Sequence, residues 1–376
     1  MKQLKIMTIV GTRPEIIRLS RLVPELDRIS DHRFVHTGQN SDSNLSDVFF
    51  RDLQIRKPDV FLGVDNSSFG SSMAGTIGRI EVELRMFSPD AVMILGDTNS
   101  AISAVVAERM HIPVYHMEAG NRSHDSNVPE ELNRKMVDHV STFNLAYNEH
   151  SRRNLLGEGI NPRFLSVTGS PMREVLEFYD SAISASTILS DMGLKQGEYF
   201  LASFHRQENV DVSRRLKALV RSLEALSDEY QIPVVISTHP RTRRRLDELG
   251  LQSHSDNLVF VEPFGFLDYI KLQSKAKCVL SDSGTISEES AILEFPAVSI
   301  RDSIERQEAI EVGSMILAGL DTNGISLGVK RALESIGHPT LIPEGYGSSD
   351  FSRRVVNFVL STVYHWKDWK SLRPLG

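Results

Sequence analysis

Three charged side chains in the first half of the sequence directly follow short apolar runs. Arg13 comes after "KIMTIVGT", Asp97 after "AVMILG" and Glu118 after "VYHM". Such runs are typical of buried strands, and α/β proteins collect ligands at the carboxyl ends of their parallel strands. A carboxylate at such a position costs desolvation energy unless it is paired or catalytic. The pattern therefore makes Asp97 and Glu118 candidates for either a paired or a catalytic role.

Two basic side chains near these carboxylates have an ordinary interpretation as well as a functional one. Arg13 follows a turn at Gly11, where a guanidinium can hold a phosphate with a fork of hydrogen bonds, but a surface ion pair with Glu15 is the alternative. Arg134 lies four residues after Glu130 in "PEELNR", so a helix would place both on one face. A plain surface pair explains that spacing equally well.

The segment "LSDSGTISEES" is the sharpest pattern in the second half. A strand is predicted to end at Leu280, and Ser283–Gly284 to turn the chain into a helix. The first turn of such a helix binds phosphate through its amides and its dipole, and Glu288 or Glu289 could reach a ribose diol. The alternative is an ordinary helix start, with Ser283 as its cap and the glutamates complementing the dipole.

Two histidines each follow an apolar run, in "SFHRQEN" and "STHPR". A single histidine is more often structural than functional. His205 is the stronger candidate, because Arg206 stands beside it at the predicted end of a central strand and both would face the same ligand site.

The elements that position these residues alternate between strand and helix, which is typical of parallel α/β folds. The length of 376 residues allows two domains. We expect two Rossmann-like domains facing across a cleft: residues 1–171, with the carboxylates, and residues 172–350, with the phosphate-binding turn. The amphipathic stretch 351–376 could pack back on either domain, and the N-terminal one is preferred.

Composition excludes several classes of protein. The formal net charge of -7 disfavours nonspecific binding to nucleic acid or to an anionic membrane. The single cysteine, Cys278, excludes an intrachain disulfide and a cysteine-built metal site. No apolar stretch approaches the roughly 18 residues of a membrane span, and the run Ile6–Val10 is too short for a signal peptide. We expect a cytoplasmic protein.

Missing motifs narrow the chemistry further. The first predicted strand runs into "VGTRPE" and not into GxGxxG, so a nicotinamide cofactor has no local support. The segment "GSSMAGT" has the spacing of a phosphate-binding loop but lacks its lysine, so an ordinary helix start is expected there. No HExxH motif or Cys/His spacing indicates a metal site. We expect neither a cofactor nor a metal.

Together these segments resemble the non-hydrolysing UDP-N-acetylglucosamine 2-epimerase family. The matching motifs run in family order from residue 11 to about residue 313: "GTRPE", "TGQ", "GDT", "EAG.R", "PEE.NR", "TG", "HR.EN", "HP", "DSG" and "RD..ERQEA". Some segments match the branch that makes UDP-N-acetyl-L-fucosamine more closely: "GTRPEIIRLSR", "HTGQN", "HMEAGNR", "VPEELNRK" and "TGSPM".

The resemblance implies a glycosyltransferase-B-like fold, a UDP-sugar substrate and a homodimer. It assigns the diphosphate to Arg13, His205, Ser283 and Gly284. His205 is also counted among the catalytic residues. Glu289 would bind the ribose, and the segment "EPFGFLDY", with Phe264, would receive the uracil.

On the sugar side, the resemblance makes Asp97, Glu118 and Glu130 the catalytic carboxylates, with Arg134 nearby. Arg18 would belong to the substrate site, where many family members have lysine. The charge is kept, but a guanidinium and an ammonium differ in geometry.

The sequence departs from the family pattern near the expected sugar site. Asn121 replaces the usual leucine of "EAGLR", Thr285 replaces the second glycine of "DSGG", and the loop 123–128 lacks the aromatic residues of the glucosamine epimerases. The predicted reaction is therefore UDP-2-acetamido-2,6-dideoxy-L-talose to UDP-N-acetyl-L-fucosamine, with UDP-N-acetylglucosamine to UDP-N-acetylmannosamine as the alternative. The segment "NSDSN" differs from that of members activated by a second UDP-sugar, so activation is not carried over.

Elimination of UDP is the mechanism that these residue types favour. Carbon 2 has no neighbouring carbonyl, so its direct deprotonation would give an unstabilised carbanion. Breaking the bond between carbon 1 and UDP acidifies that hydrogen, which a carboxylate can then remove. The rival functions are a glycosyltransferase of the same fold, a non-catalytic UDP-sugar sensor and a hydrolysing epimerase. The carboxylate set argues against the first two.

Overall fold

The computed structural model describes residues 3–39, 50–251, 257–339 and 341–372, so the segment "NSDSN" lies outside the described residues. The chain divides into two compact units: unit 1 is Met1–Glu177 with Glu344–Gly376, and unit 2 is Phe178–Pro343. The division after Glu177 falls inside a helix that starts at Met172, beyond the boundary expected at residue 171. The chain rejoins unit 1 at Glu344, before the expected residue 351.

Unit 1 contains a seven-stranded parallel sheet in the order β3-β2-β1-β4-β5-β6-β7. Its central strands are covered on both faces, so their sequences are continuous apolar runs rather than alternating ones. The strands are β1 Lys5–Val10, β2 Asp31–His36, β3 Val60–Phe61, β4 Ala91–Leu95, β5 Val114–Met117, β6 Phe143–Ala146 and β7 Leu165–Val167.

Unit 2 contains a six-stranded parallel sheet in the order β10-β9-β8-β11-β12-β13. Successive residues of a strand point to opposite faces, so Phe200 joins one buried apolar cluster and Leu201 the other. The strands are β8 Phe200–Ser203, β9 Val234–Ser237, β10 Leu258–Val261, β11 Cys278–Ser281, β12 Ala297–Ser299 and β13 Ile316–Leu317. The predicted α/β class with two Rossmann-like domains is confirmed.

Helices connect the strands of both sheets, as parallel pairing requires. In unit 1 and across the division, they are α1 Arg13–Leu19, α2 Leu22–Ile29, α3 Phe69–Phe87, α4 Ser103–Arg109, α5 Glu130–Val140, α6 Glu149–Gly157 and α7 Met172–Ala185. They continue as α8 Ile188–Asp191, α9 Gln207–Val210, α10 Ser213–Tyr230, α11 Pro240–Glu248, α12 Phe266–Lys275, α13 Ile286–Leu293, α14 Gln307–Glu311, α15 Thr322–Glu334, α16 Phe351–Thr362 and α17 Trp366–Trp369. Short 3₁₀ turns lie at Asn99–Ile102 and Pro162–Phe164.

The C-terminal helix α16 packs within unit 1. The Glu174 carboxylate on α7 accepts hydrogen bonds from the backbone nitrogen and hydroxyl of Ser352, both at 2.9 Å. The ring of Phe358 meets the edge of Tyr115, with centroids 6.2 Å apart, a geometry that stabilises such a pair by about 0.5–1.5 kcal/mol. Across the described ranges, no helix combines the length and the apolar character needed to cross a membrane.

Candidate active site

Glu15 organises the turn between β1 and α1. One of its carboxylate oxygens accepts from the backbone nitrogens of Gly11 and Thr12, at 3.0 and 2.8 Å. The other accepts from the Ser100 hydroxyl, in the 3₁₀ turn after β4, at 2.7 Å. Burial raises the pKa of Glu15, although these hydrogen bonds act in the opposite direction. Arg13 is half-buried at the first position of α1, in the turn that Glu15 holds.

Glu118 follows β5 with a φ of 67°, in the left-handed region. A non-glycine residue pays about 1–3 kcal/mol for such a conformation, and residues held in this way cluster at functional sites. Its carboxylate forms an ion pair with buried Arg18 through one oxygen and accepts from the Asn121 amide at 3.4 Å through the other. The Arg18 guanidinium also lies over the Tyr147 ring, 5.9 Å from its centroid. Several neighbours therefore orient the Glu118 carboxylate.

Asp97 lies just beyond β4 and contacts α5. Its carboxylate lies 2.7 Å from Nε of Arg134, and its carbonyl oxygen accepts from the Asn133 amide at 2.9 Å. Arg134 is buried, and its Nη1 lies 2.6 Å from Oε2 of Glu131. Arg134 is therefore not part of a plain surface pair. It links the loop after β4 to α5.

The loop 123–128 is attached to the start of α5. Oε2 of Glu131 accepts from the backbone nitrogen and the hydroxyl of Ser123, both at 3.0 Å. Burial alone would raise the pKa of Glu131, but Ser123 and Arg134 together hold it below its usual range. Glu130, the first residue of α5, is half-buried. The loop therefore begins beside the helix that carries two of the predicted site residues.

A buried network of charged side chains, not selected from the sequence, joins β5 to α5. Nδ1 of His116 lies 2.8 Å from Asp138 Oδ1, and Nε2 lies 2.9 Å from the carbonyl oxygen of Gly96. Asp138 Oδ2 lies 2.7 Å from Arg122 and accepts from the backbone nitrogen of Gly120 at 3.1 Å. Arg122 belongs to the "EAG.R" motif, so the sequence could have indicated it as a site residue. His116 sits in an apolar run, and nothing in its spacing relates it to Asp138.

In unit 2, Asp282 organises the loop that follows β8. Its fully buried carboxylate accepts from the backbone nitrogens of His205 and Arg206, both at 3.0 Å, and from the Asn209 amide at 3.1 Å. Nδ1 of His205 lies 3.3 Å from the same carboxylate, while its side chain is 47% exposed. One carboxylate at the end of β11 thus positions the predicted site residue His205 at the end of β8. Asp282 was not among the site residues predicted from the sequence.

Gly284 lies against a second ion pair of unit 2. A Cβ at this position would lie 2.6 Å from Oε1 of Glu305, so glycine is required unless Glu305 shifts. Glu305 is held by Arg206 at 3.0 Å and by Arg301 at 2.6 Å. The turn therefore rests on a buried carboxylate that two arginines hold in place.

The alternative interpretation of this segment, in which Ser283 caps the helix, is wrong. Thr285, not Ser283, is the N-cap of α13, because the turn at residues 284–285 precedes the helix, which begins at Ile286. The Ser283 and Thr285 hydroxyls are hydrogen-bonded to each other at 3.0 Å. Ser283 thus belongs to the turn itself and not to the helix start.

The two glutamates in the first turn of α13 have different partners. Glu288 is fully buried, and Oε2 lies 3.0 Å from Nη2 of Arg306. Glu289 is also buried and accepts a hydrogen bond from the Gln273 amide at 2.8 Å. Both therefore have local partners inside unit 2, and neither is a merely solvated charge at a helix end.

The remaining predicted positions lie before α12 and α11. Phe264 precedes α12 and packs, partly buried, against the apolar cluster on one face of the sheet. His239 is the N-cap of α11, and its ring accepts from the backbone nitrogen of Arg241 at 3.2 Å, which is a structural role. Its ring centroid lies 6.2 Å from that of His205.

Each unit thus brings together one kind of chemistry. Unit 1 presents two partly exposed carboxylates, each oriented by a buried arginine, and positioned carboxylates of this kind are candidates for proton transfer. Unit 2 presents a turn at the start of a helix next to His205 and Arg206, which suits an anion. In the part of the chain that the structure covers, no group of three His, Cys, Asp or Glu side chains could hold a metal ion.

Comparison with known proteins agrees with this chemistry. A family model described as UDP-N-acetylglucosamine 2-epimerase matches residues 25–360. The structure of a UDP-N-acetylglucosamine 2-epimerase from Rickettsia bellii is 42% identical, with a TM-score of 0.90, and the match covers 97% of this chain and 98% of that one. A complex of the Methanocaldococcus jannaschii UDP-GlcNAc 2-epimerase with UDP-GlcNAc and UDP is 32% identical, with a TM-score of 0.89 and coverage of 95% and 100%.

A further relative is named for a different UDP-sugar. The UDP-2,3-diacetamido-2,3-dideoxy-D-glucuronate 2-epimerase of Pseudomonas aeruginosa is 33% identical over 368 residues, which is 95% of this chain and 99% of that protein. The solved structures confirm the glycosyltransferase-B-like fold class. The family model matches most of the chain, and the relatives match over nearly their full length. The chain therefore belongs to the UDP-N-acetylglucosamine 2-epimerase family and is a UDP-sugar 2-epimerase.

Proposed function

We propose that this enzyme inverts carbon 2 of a UDP-N-acetylhexosamine by eliminating UDP and adding it back. The observation that carries the proposal is the pair of ion pairs in unit 1, where Arg18 holds Glu118 and Arg134 holds Asp97. The two carboxylates follow different strands and pair with different arginines. An epimerase needs two such groups, because the proton leaves one face of carbon 2 and returns to the other.

The elimination balances as follows. The bond between carbon 1 and the UDP oxygen breaks, and its electron pair leaves with UDP. A carboxylate takes the hydrogen of carbon 2 as a proton, and a double bond forms between carbons 1 and 2. A second acid then delivers a proton to the opposite face of carbon 2, and UDP attacks carbon 1. No oxidant, reductant or cofactor is consumed.

We assign the proton transfers to Asp97, Glu118 and Glu130. Asp97 and Glu118 are supported by their partial exposure, 29% and 14% of the side chain, since a proton carrier has to be reachable. Arg134 orients Asp97. Arg18 contributes to the substrate site through its ion pair with Glu118, which also explains why a guanidinium serves at this position.

The nucleotide is assigned to the turn residues and their neighbours. We propose that Arg13, His205, Ser283 and Gly284 bind the diphosphate, and that His205 also assists departure of UDP. The ribose is assigned to Glu289 rather than Glu288, because Glu288 is completely buried against Arg306 whereas 6% of Glu289 is exposed. Phe264 precedes α12 and would stack on or border the uracil.

We further propose UDP-2-acetamido-2,6-dideoxy-L-talose as the substrate and UDP-N-acetyl-L-fucosamine as the product. Support comes from Asn121, which is buried beside Glu118: its amide donates to Glu118, and its oxygen accepts from the Ser151 hydroxyl at 2.9 Å. Leucine at this position would make neither bond. The polar loop 123–128 starts at Ser123, which Glu131 anchors. Polar contacts of this kind can set large specificity ratios between sugars.

Conversion of UDP-N-acetylglucosamine to UDP-N-acetylmannosamine is the second candidate. It is favoured by the names of the Rickettsia bellii and Methanocaldococcus jannaschii proteins. The Pseudomonas aeruginosa relative, named for another sugar at similar identity, supports variation of the sugar among related chains.

Purified enzyme supplied with each UDP-sugar in turn tests these proposals. Proton NMR follows the product and distinguishes a UDP-linked epimer from released free sugar. We expect a UDP-linked epimer and a higher kcat/KM for the L-talose substrate. Equal or better use of UDP-N-acetylglucosamine would transfer the assignment to the second candidate. Free sugar as the product would indicate a hydrolysing epimerase, and light scattering of the same sample tests the homodimer that we propose from the family resemblance.

A further inference from the structure

Both ring nitrogens of His116 face groups that accept hydrogen bonds. Nε2 lies 2.9 Å from the carbonyl oxygen of Gly96, and Nδ1 lies 2.8 Å from a carboxylate oxygen of Asp138. A neutral imidazole has one donor and one acceptor nitrogen, so it can satisfy only one of these contacts. An imidazolium can donate to Gly96 and form an ion pair with Asp138 at the same time. Because the ring is buried, a ring nitrogen without a proton that faces an acceptor would lower the stability of the fold, since no water can hydrogen-bond to it instead.

Asp138 is the acceptor and not a protonated donor. Its other oxygen accepts from the Gly120 backbone nitrogen at 3.1 Å and lies 2.7 Å from Arg122. Burial alone would raise the pKa of Asp138, but His116 and Arg122 hold it below its usual range. The proton of this contact therefore resides on His116.

The surrounding charges agree with an imidazolium. Burial alone would lower the pKa of His116, but Asp138, the adjacent carbonyl and nearby Glu118 together raise it above its usual range. Arg122 also binds Glu158 through two nitrogens, at 2.7 and 2.6 Å. Arg122 thus bridges the carboxylates of Asp138 and Glu158, His139 lies 3.9 Å from Glu158, and an imidazolium at His116 places a further positive charge beside Asp138.

The ring connects the two loops that carry the proposed catalytic carboxylates. Gly96, its acceptor on one side, directly precedes Asp97. On the other side, Asp138 holds the backbone nitrogen of Gly120, two residues after Glu118. Gly120 has a φ of 85°, and a Cβ there would lie 2.2 Å from a backbone oxygen, so the loop has little room to adjust.

We propose that His116 is a buried imidazolium, charged across neutral pH, that positions the Asp97 and Glu118 loops relative to each other. The inference rests on the catalytic roles proposed for those two carboxylates. His116 is a positioning residue, since its contacts are with Gly96 and Asp138. Displacing either loop by about 1 Å is the kind of change that lowers turnover on the order of 100-fold.

The protonation state is measured by nitrogen-15 NMR on enzyme labelled in its histidines. The His116 signals are assigned by their loss in His116→Gln. We expect both ring nitrogens to carry protons at pH 8, where an ordinary histidine is neutral. An unprotonated ring nitrogen in His116 at pH 7 would overturn the proposal.

Asp138→Asn provides a matched variant that removes the charge and keeps the bonds. Its amide nitrogen can donate to a neutral Nδ1, its oxygen can still accept from Gly120 and Arg122, and the network stays balanced because two opposite charges are lost together. We expect a kcat on the order of the wild-type value, with one unprotonated nitrogen in the NMR spectrum of His116. In Asp138→Ala and His116→Gln, we expect kcat to fall on the order of 100-fold with KM unchanged.

Stability loss is separated from positioning by Val137→Ala, a truncation in the apolar core one residue from Asp138. We expect it to lower the melting temperature while kcat stays near wild type. Unchanged kcat in His116→Gln, or equal losses in Asp138→Asn and Asp138→Ala, would overturn the positioning role. If Asp138→Ala does not fold, His116→Gln compared with Asp138→Asn gives the same decision.

Exchange of the carbon 2 hydrogen in heavy water distinguishes failure of the elimination mechanism from failure of the positioning role of His116. If the wild type turns over without exchange, the elimination mechanism fails, whatever the state of His116. If the wild type exchanges and His116→Gln exchanges and turns over equally fast, only the positioning role fails.

Discussion

The carboxylates proposed for catalysis in unit 1 differ in burial from the carboxylates that order the loops of unit 2. In unit 1, Glu118 and Asp97 each pair with a buried arginine but keep 14% and 29% of their side-chain exposure. In unit 2, Asp282 and Glu288 are completely buried and hold loops and helices in place. A carboxylate that exchanges a proton has to be reachable, whereas one that orders a loop gains from burial, because its hydrogen bonds strengthen away from water. Residue type alone therefore does not indicate role; exposure and partners do.

The histidines show the reverse distribution. His116 in unit 1 is buried between two acceptors, while the side chain of His205 in unit 2 is 47% exposed. The buried ring can only position its neighbours. The exposed ring can meet a ligand. We propose that proton transfer rests mainly on unit 1 and nucleotide binding mainly on unit 2, and the variants below test this proposal.

Asp97→Asn tests the unit 1 side and has the largest expected effect. The amide keeps the size of the side chain but cannot exchange a proton, so we expect kcat to fall about 10³-fold, within the range of general acid–base catalysis. UDP affinity, measured by calorimetry, should remain unchanged. The control is Asp211→Asn, which alters an exposed carboxylate paired with Arg241 and should leave turnover intact. Near-normal turnover in Asp97→Asn would remove Asp97 from the chemistry.

Asp282→Ala tests the unit 2 side. The change leaves the backbone nitrogens of His205 and Arg206 and the Asn209 amide without their acceptor. We expect the free energy of unfolding to fall by about 3 kcal/mol, measured by urea denaturation. UDP affinity should fall with it, because His205 loses its position. Asp282→Asn keeps one acceptor oxygen and should lose less. A fully stable Asp282→Ala protein would contradict the structural role.

The fold followed from the sequence because its signals are local. Continuous apolar runs such as β1 and β4 mark strands covered on both faces, and helical patterns between them mark the crossovers. The position of the predicted residues at strand ends came from the same signal. The boundary between the two units could not be predicted in this way, because it falls inside α7, which continues as one helix from Met172 to Ala185.

The pairings inside the site could not be read in this way. Spacing placed Arg134 on one helix face with Glu130, but it did not indicate the contacts of Arg134 with Asp97 and Glu131, which form because the loop after β4 lies beside α5. Asp282 was part of a quoted motif, yet its role depends on a loop far away in sequence. Side-chain partners of this kind depend on tertiary contacts, which cannot be predicted from the pattern of a single sequence.

Gly284→Ala tests whether the turn at Ser283–Gly284 needs glycine in order to bind UDP. The new methyl group would meet Glu305 at 2.6 Å, so Glu305 or the turn has to move. We expect UDP to bind about tenfold more weakly, since such overpacking costs about 1–3 kcal/mol. Gly347→Ala is the matched control, because a Cβ there meets nothing within 4 Å. Equal UDP affinity in the two variants would show that the turn tolerates the methyl group.

The pH dependence of stability tests the buried pair of unit 1. The pKa of His116 is raised above 6.5, so its contribution is fully present below that pH and is lost as pH rises through the folded pKa. The pKa of Asp138 is lowered below 3.8, so its contribution is present above that pH and is lost as pH falls through the folded pKa. The stability difference between wild type and Asp138→Asn, followed by thermal unfolding, should therefore be largest between pH 3.8 and 6.5. A difference that grows above this window would contradict the charged pair.

The central claim is that UDP leaves and returns during turnover, and isotopic labelling measures this directly. The enzyme is run in heavy water with a substrate that carries labelled oxygen in the bridge between carbon 1 and the diphosphate. We predict one deuterium at carbon 2 of the product and movement of the oxygen label into non-bridging positions of the diphosphate. A product that retains its original hydrogen and an unmoved bridging label would contradict elimination and point to an internal hydride transfer.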